Sequence, residues 1–208
     1  MLVAASCVAL VALLLLGQDF AAAAAKLVAS SAFVALAIVA GGLQSNYGRI
    51  ILLGLVFSWF GDAFLIGETQ LLFLSGLGAF LLAHLAYIVA FIERGISVKW
   101  AALAALPIVA IAIAVSVWLA PHIPPELKVP VRVYTTVISL MVIAAIGTRG
   151  RGAPALILAG ALLFFLSDLS VAALRLVQTD YPTYIWGLPL YYAGQACLAV
   201  STSQSRSH

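Results

Sequence analysis

Charged residues are scarce in this chain. They make up 8% of its 208 residues, whereas hydrophobic residues make up 65%. A soluble globular domain carries about 25% charged residues, so these charges are too few to cover a water-exposed surface. The two cysteines, Cys7 and Cys197, lie in apolar runs and indicate neither a disulfide nor a metal cluster. The small, scattered net charge of +3 indicates no nucleic-acid partner. A polytopic helical membrane protein remains.

Apolar runs divide the chain into eight predicted helices. A membrane-spanning helix needs about 20 mostly apolar residues, and the runs here are separated by charges, Gly, Pro and Asn. The connectors are too short for a soluble domain. The sequence therefore predicts an all-α polytopic bundle of eight transmembrane helices, forming a single integral membrane domain over residues 1–208. The predicted helices cover residues 2–17, 20–42, 49–67, 71–92, 99–119, 129–147, 154–177 and 182–201.

The first apolar run has an alternative interpretation as a cleaved signal peptide. Four leucines at residues 13–16 precede an Ala-rich stretch that is similar to a cleavage region. A signal peptide begins with basic residues, and no Lys or Arg precedes this run, which favours a retained helix.

Basic residues in the connectors predict the orientation, because cytoplasmic loops are enriched in Lys and Arg. One side of the predicted bundle carries Arg49, Arg94, Lys99, Arg149, Arg151 and Arg206. The other side carries Lys128, and three basic residues near or inside apolar runs lean toward it. This bias predicts that both termini are cytoplasmic. The short loops suit a bacterial inner membrane.

Six ionisable side chains fall inside predicted spans, where a charge costs about 2.5–3.5 kcal/mol and usually serves a function. They are Lys26, Asp62, His84, Arg132, Asp168 and Arg175. At a rise of about 1.5 Å per residue, Asp62 and Asp168 lie roughly 20 and 21 Å from the same edge, and His84 lies near the midplane. These depths predict a polar cavity that opens toward the non-cytoplasmic side.

Helical spacing places several polar side chains on shared faces. Ser58 and Asp62 are four residues apart, as are Tyr191 and Gln195, while His84 lies three residues before a tyrosine. Simpler interpretations remain open. An intramembrane Asp can bond a neighbouring helix, a terminal Lys or Arg can extend to the interface, and His or Tyr can serve packing alone.

A weak internal repeat is also indicated. The segment FSWFGD at residues 57–62 is similar to FFLSD at residues 164–168, and the helices that follow both carry Tyr and another polar group. Such a similarity between the two halves of the sequence is typical of a four-plus-four parallel repeat in a membrane protein.

Four segments carry a family resemblance. They are GLVFSWFGD at residues 54–62, GAFLLAHLAY at 78–87, GALLFFLSD at 160–168 and YYAGQ at 191–195. Through them the chain resembles the YhhN-like membrane family, whose characterised members are lysoplasmalogenases. The resemblance implies eight membrane helices and hydrolysis of the vinyl ether bond of a lysoplasmalogen, a lysophospholipid in the membrane. The products would be a fatty aldehyde and a glycerophospho-ethanolamine or glycerophospho-choline.

The residue chemistry suits that implied reaction. A vinyl ether is labile to acid, so its hydrolysis needs a proton donor, a group that stabilises positive charge and a positioned water. Burial disfavours the charged form of a carboxyl group, and two nearby carboxyls do not ionise together easily. We therefore expect Asp62 and Asp168 to act as a catalytic pair. Supporting or substrate-binding roles are expected for Lys26, Ser58, His84, Tyr87, Arg132, Tyr134, Arg175, Tyr191, Tyr192 and Gln195.

Three other functions compete with this hypothesis. A zinc-dependent lipid hydrolase needs three protein ligands, but His84 is the only histidine in a predicted span, because His122 lies in a connector and His208 is terminal. No metal or cofactor is therefore expected. A small-solute or proton-coupled transporter would use intramembrane Asp, His and Arg as a relay, and would need polar groups leading to both faces. A lipid-binding protein without activity would leave the two Asp residues unexplained.

Overall fold

The computed structural model describes residues 1–203, so Arg206 and His208 lie outside the described residues. That part of the chain is helical, with eight α-helices and no strand. The α-helices are α1 (Leu2–Leu15), α2 (Asp19–Ala40), α3 (Asn46–Phe64), α4 (Gln70–Arg94), α5 (Val98–Leu119), α6 (Lys128–Arg149), α7 (Ala155–Ala172) and α8 (Tyr184–Ser201). Two 3₁₀ turns, Ala120–His122 and Pro125–Leu127, separate α5 from α6, and a π-helical segment, Ala173–Val177, extends α7.

The helix ends agree with the sequence prediction to within a few residues, and local capping explains the differences. α3 begins three residues earlier than predicted because the Ser45 side chain accepts a hydrogen bond of 3.0 Å from the Gly48 backbone N–H. α2 ends at Ala40, and the following Gly41 has a φ of 103°, in the left-handed conformation that favours glycine. The predicted helix at 154–177 corresponds to α7 together with its π-helical extension.

Six of the eight helices described in residues 1–203, α2 through α7, are long and apolar enough to cross a membrane. α1 has 14 residues, a length of about 21 Å against a hydrocarbon core of about 30 Å. α8 has 18 residues and carries Pro189, three tyrosines and a glutamine, which make it less apolar. The all-α membrane class is therefore confirmed, with six candidate spans in place of the eight predicted.

The helices pack in a pattern that is nearly the same in both halves of the chain. Consecutive helices contact each other within α1–α4, and from α5 to α8. Between the halves, α2 packs against α8, and α4 packs against α6. The first helix of each half, α1 and α5, lies on the outside of the bundle, and the two differ in their contacts. α1 contacts both α2 and α8, whereas α5 contacts chiefly α6.

Two helix pairs, α3 with α4 and α7 with α8, approach closely because glycines face the neighbouring helix. A Cβ atom built on Gly160 would lie 3.0 Å from the carbonyl oxygen of Gly194. A Cβ atom on Gly54 would lie 2.4 Å from the ring of Tyr87. Small residues allow such contact between membrane helices, and this packing fixes the helices that carry the polar side chains.

Candidate functional site

A cavity of about 370 Å³ opens at the end of the bundle where α2 and α8 begin and α3 and α7 end. We call this the mouth end. All eight α-helices contribute lining residues, and most of the lining is apolar. Its charged lining residues are Asp19, Lys26, Asp62, Glu68, Asp168 and Arg175. The cavity is therefore amphipathic.

Asp62, near the end of α3, is the more buried carboxyl of the cavity, with 2% of the residue exposed. Its Oδ2 accepts hydrogen bonds from the Ser30 hydroxyl at 2.6 Å and the Tyr191 hydroxyl at 2.7 Å. Its Oδ1 lies 3.5 Å from Nζ of Lys26. Two donors and one cation therefore compensate the burial of its negative charge.

Asp168, on α7, has different surroundings, and 18% of its side chain is exposed. The Tyr134 hydroxyl donates a hydrogen bond of 2.7 Å to its Oδ2. Nε2 of the buried His84 lies 3.8 Å from the same oxygen, beyond hydrogen-bond distance. Among residues 1–203, neither ring nitrogen of His84 has a hydrogen-bond partner. Asp168 therefore lacks the ammonium partner that Asp62 has.

Aromatic rings connect the two carboxyl clusters. The Phe164 ring, one turn before Asp168 on α7, lies 4.6 Å from the His84 ring and 5.3 Å from the Tyr191 ring, measured between centroids. No hydrogen bond or ion pair joins Asp62 to Asp168 in the described part of the chain. The two carboxyls line one cavity, and each is held by its own partners.

A second layer of polar side chains lies behind the cavity wall. The Tyr87 hydroxyl donates a hydrogen bond of 2.8 Å to Oε1 of Gln195 and lies 3.4 Å from the Ser58 hydroxyl. The Tyr192 hydroxyl lies 3.3 Å from Oγ of Ser30, which itself contacts Asp62. These predicted residues are buried and do not line the cavity, so they support its wall rather than reach its contents.

The predicted cations are distributed unequally. Lys26 and Arg175 line the cavity, and Nη2 of Arg175 lies 3.4 Å from the Leu65 carbonyl oxygen at the mouth. Arg132 is exposed and does not line the cavity. It lies two residues before Tyr134 on α6, about 200° around the helix, so the two side chains face opposite ways. The structure therefore separates Arg132 from the other site residues.

Sequence similarity relates the chain to a known family. The model of the YhhN family matches residues 21–202. The chain belongs to the YhhN family. It is 31% identical over 162 residues to lysoplasmalogenase TMEM86A of Bos taurus, covering 75% of this chain and 66% of that protein. It is also 31% identical over 176 residues to lysoplasmalogenase TMEM86B of Sus scrofa, covering 81% and 69% respectively.

The YhhN chain thus spans about two thirds of the length of these curated relatives. No solved structure matches it significantly.

Three polar residues of this YhhN chain escaped sequence reasoning. Ser30 bonds to Asp62, and a signal for it existed, because it lies four residues after Lys26 on the same face of α2. Asp19 and Glu68 fall just outside the predicted helices at 20–42 and 49–67, yet both line the cavity at the mouth end. Their positions at the junctions of helices that surround the mouth were the available signal.

The donor set of the YhhN chain is also informative about metals. In residues 1–203, no three His, Cys, Asp or Glu side chains come together closely enough to hold a metal ion. Within the part of the chain that the structure describes, the carboxyl within 4 Å of His84 is that of Asp168.

Proposed function

We propose that this chain is a lysoplasmalogenase-like membrane hydrolase that cleaves the vinyl ether bond of a single-chain phospholipid. The observation that carries the proposal is one amphipathic cavity in which two of the lining carboxyl groups, those of Asp62 and Asp168, have different partners. The names of the similar bovine and porcine proteins support it. Acid chemistry within an apolar cavity is what a vinyl ether requires.

The contacts favour different roles for the two carboxyls. Lys26, Ser30 and Tyr191 stabilise the charged form of Asp62. Asp168 has no such ammonium partner, and its one hydrogen bond, from Tyr134, uses Oδ2. Oδ1 is then free to carry a proton toward the cavity. We assign the proton donor to Asp168 and the stabilising carboxylate to Asp62.

The proposed steps consume one water. Asp168 transfers its proton to the carbon of the double bond that is farther from the ether oxygen, which leaves an oxocarbenium ion. The carboxylate of Asp62 stabilises this cation. Water adds to the cationic carbon and returns a proton to Asp168. The resulting hemiacetal breaks its carbon–oxygen bond while the hydroxyl proton moves to the departing oxygen. A fatty aldehyde and a glycerophospho-alcohol are released.

The headgroup would lie at the mouth end. Arg175 provides a guanidinium there, and guanidinium groups bind phosphate in a bidentate manner. Lys26 lies deeper and is paired with Asp62, so Arg175 is the better candidate for the phosphate. The ethanolamine or choline group would extend past it.

The membrane arrangement is part of the proposal. We infer that α1 and α8 also cross the bilayer, because they pack against each other and against α2. The basic residues Arg49, Arg94, Lys99 and Arg149 lie at helix ends opposite the mouth. The positive-inside rule then makes that end cytoplasmic, together with both termini, in a bacterial inner membrane.

The two halves would form the four-plus-four repeat, related by an axis along the bundle. The partners of the two carboxyls support this. Asp62 on α3 is contacted from α2 in its own half and from α8 in the other half. Asp168 on α7 is contacted from α6 in its own half and from α4 in the other half. Each carboxyl would then be completed by the other half of the chain.

The proposal is tested with purified protein in lipid nanodiscs. The protein is incubated with a lysoplasmalogen and, separately, with the ester analogue of the same chain and headgroup. We expect free aldehyde from the vinyl ether and no fatty acid from the ester. Fatty acid from the ester would indicate a lipase-like activity, and release of neither product would contradict the proposal.

A further inference from the structure

The two outer helices of the bundle are packed differently. α1 is held against both α2 and α8, and so closes its side of the bundle. α5 occupies the corresponding place in the second half, but it packs chiefly against α6 and not along α4. Within the described residues, the backbones of α4 and α5 therefore stay apart and leave an apolar cleft between them, into which Phe73, Val115 and Leu119 pack at the mouth end.

This cleft continues into the cavity. Phe73 and Leu77 of α4, with Val115 and Leu119 of α5, line the same cavity as the two carboxyls. These four side chains are apolar, and none of them carries a group that could take part in acid chemistry. On the α5 side, Val115 is partly buried, whereas Val117 is 69% exposed and does not line the cavity. α5 therefore turns one apolar face inward and another toward lipid.

We propose that the cleft between α4 and α5 is the binding site and lateral entrance for the hydrocarbon chain of the lysolipid. The proposal rests on the proposed function for the identity of the lipid. An amphiphile with one chain fits a cavity that combines charged lining residues with the apolar side chains of α4 and α5. The chain would lie along Leu77 and Val115, and its reactive end would reach Asp168 beside Tyr134. A substrate that enters this way keeps its hydrocarbon chain in apolar surroundings throughout, and only its headgroup meets polar groups.

The first test fills the cleft. Val115→Trp places a large ring in the cleft, and Val117→Trp, two residues along the same helix, places it on the outer face. For a long-chain lysoplasmalogen, we expect Val115→Trp to raise KM about tenfold or more, because buried methylenes lose their contacts. Its kcat should stay near that of the wild type, and Val117→Trp should change neither constant. Equal KM values for both variants would overturn the proposal. Elution volume and melting temperature report whether each variant folds.

The second test uses the wild-type protein alone and does not depend on enzymatic turnover. The wild-type protein is irradiated with a lysophosphocholine that carries a saturated ether chain with a terminal diazirine, and the adducts are mapped by mass spectrometry. We expect adducts in α4 and α5, reduced by competing unlabelled lysolipid. Adducts confined to α1 and α2, or none in the cleft, would overturn the proposal. Labelling of the cleft without aldehyde release in the earlier assay would contradict the proposed function alone.

Discussion

Lys26 and Asp62 form an ion pair across two neighbouring helices, with Nζ 3.5 Å from Oδ1. The residues of this pair are 16% and 3% exposed in their side chains, so both charges lie largely out of solvent. Asp168 lines the same cavity, with His84 as its nearest basic group at 3.8 Å. The difference between the two carboxyls leads to predictions that separate catalytic from structural roles.

The first prediction concerns the carboxyls themselves. Asp62→Asn should abolish aldehyde release, because loss of charge stabilisation in a transition state costs about 10²–10³ in kcat. Asp168→Asn removes the proposed proton donor and should cost about 10²–10⁴. Aldehyde release by each variant is measured alongside its melting temperature. Asp180→Asn is the control, because Asp180 is exposed and does not line the cavity. Near-normal turnover in Asp62→Asn would remove Asp62 from the mechanism.

The second prediction concerns the ion pair. Lys26→Met leaves the Asp62 carboxylate buried without its cation, and we expect the free energy of unfolding to fall by about 2–4 kcal/mol. This is slightly less than for a fully buried pair, because the lysine side chain is partly exposed. The double variant Lys26→Met with Asp62→Asn should recover most of the loss. Thermal denaturation of the single and double variants measures the coupling. A double variant as unstable as Lys26→Met would show that the pair does not cause the loss.

The third prediction concerns Tyr134, which we regard as a positioning residue for Asp168. Tyr134→Phe removes one hydrogen bond of 2.7 Å and should lower kcat about tenfold, from the usual value of a single hydrogen bond. KM should change little, since the ring and its packing against His84 are retained. Tyr181→Phe, at a residue that is 54% exposed, is the matched control. Steady-state kinetics decide the case, and a change in KM alone would indicate a role in binding.

The fourth prediction concerns the contact between α3 and α4. A methyl group on Gly54 would lie 2.4 Å from the Tyr87 ring, so Gly54→Ala should destabilise the protein by about 1–3 kcal/mol through overpacking. Gly78→Ala is the control, because nothing lies within 4 Å of the corresponding position on Gly78. That variant should be neutral or slightly more stable, since alanine favours a helix. Melting temperatures compare the two, and similar values would contradict the tight contact.

The number and limits of the helices were accessible from sequence because they depend on local features. Apolar runs, capping residues such as Ser45 and the φ preference of Gly41 all act within a few residues. Spacing also identified Asp62 and Asp168 as unusual, since a charge inside an apolar run stands out without any tertiary information. The six apolar spans follow from the same local signal.

The hydrogen-bond partners of those carboxyls could not be predicted from the sequence. Ser30 is 32 residues from Asp62 and Tyr191 is 129 residues from it, so their hydrogen bonds depend on how α2, α3 and α8 pack. Arg132 shows the opposite case, because it falls inside a predicted span like the other ionisable residues while its face of α6 points away from the cavity. Depth along a helix can be counted in residues, but the direction of a face relative to distant helices cannot.

The amino-acid sequence alone determined that this protein is a helical membrane bundle with carboxyl groups inside apolar segments. Composition and periodicity suffice for that, because insertion and helix formation are local responses to the solvent. Tertiary structure alone decided that Lys26 neutralises one carboxyl and that Tyr134 holds the other. It also decided that α5 packs on α6 and that its side chains line the cavity beside those of α4. Those contacts join residues far apart in the chain, and only the packing of whole helices brings them together.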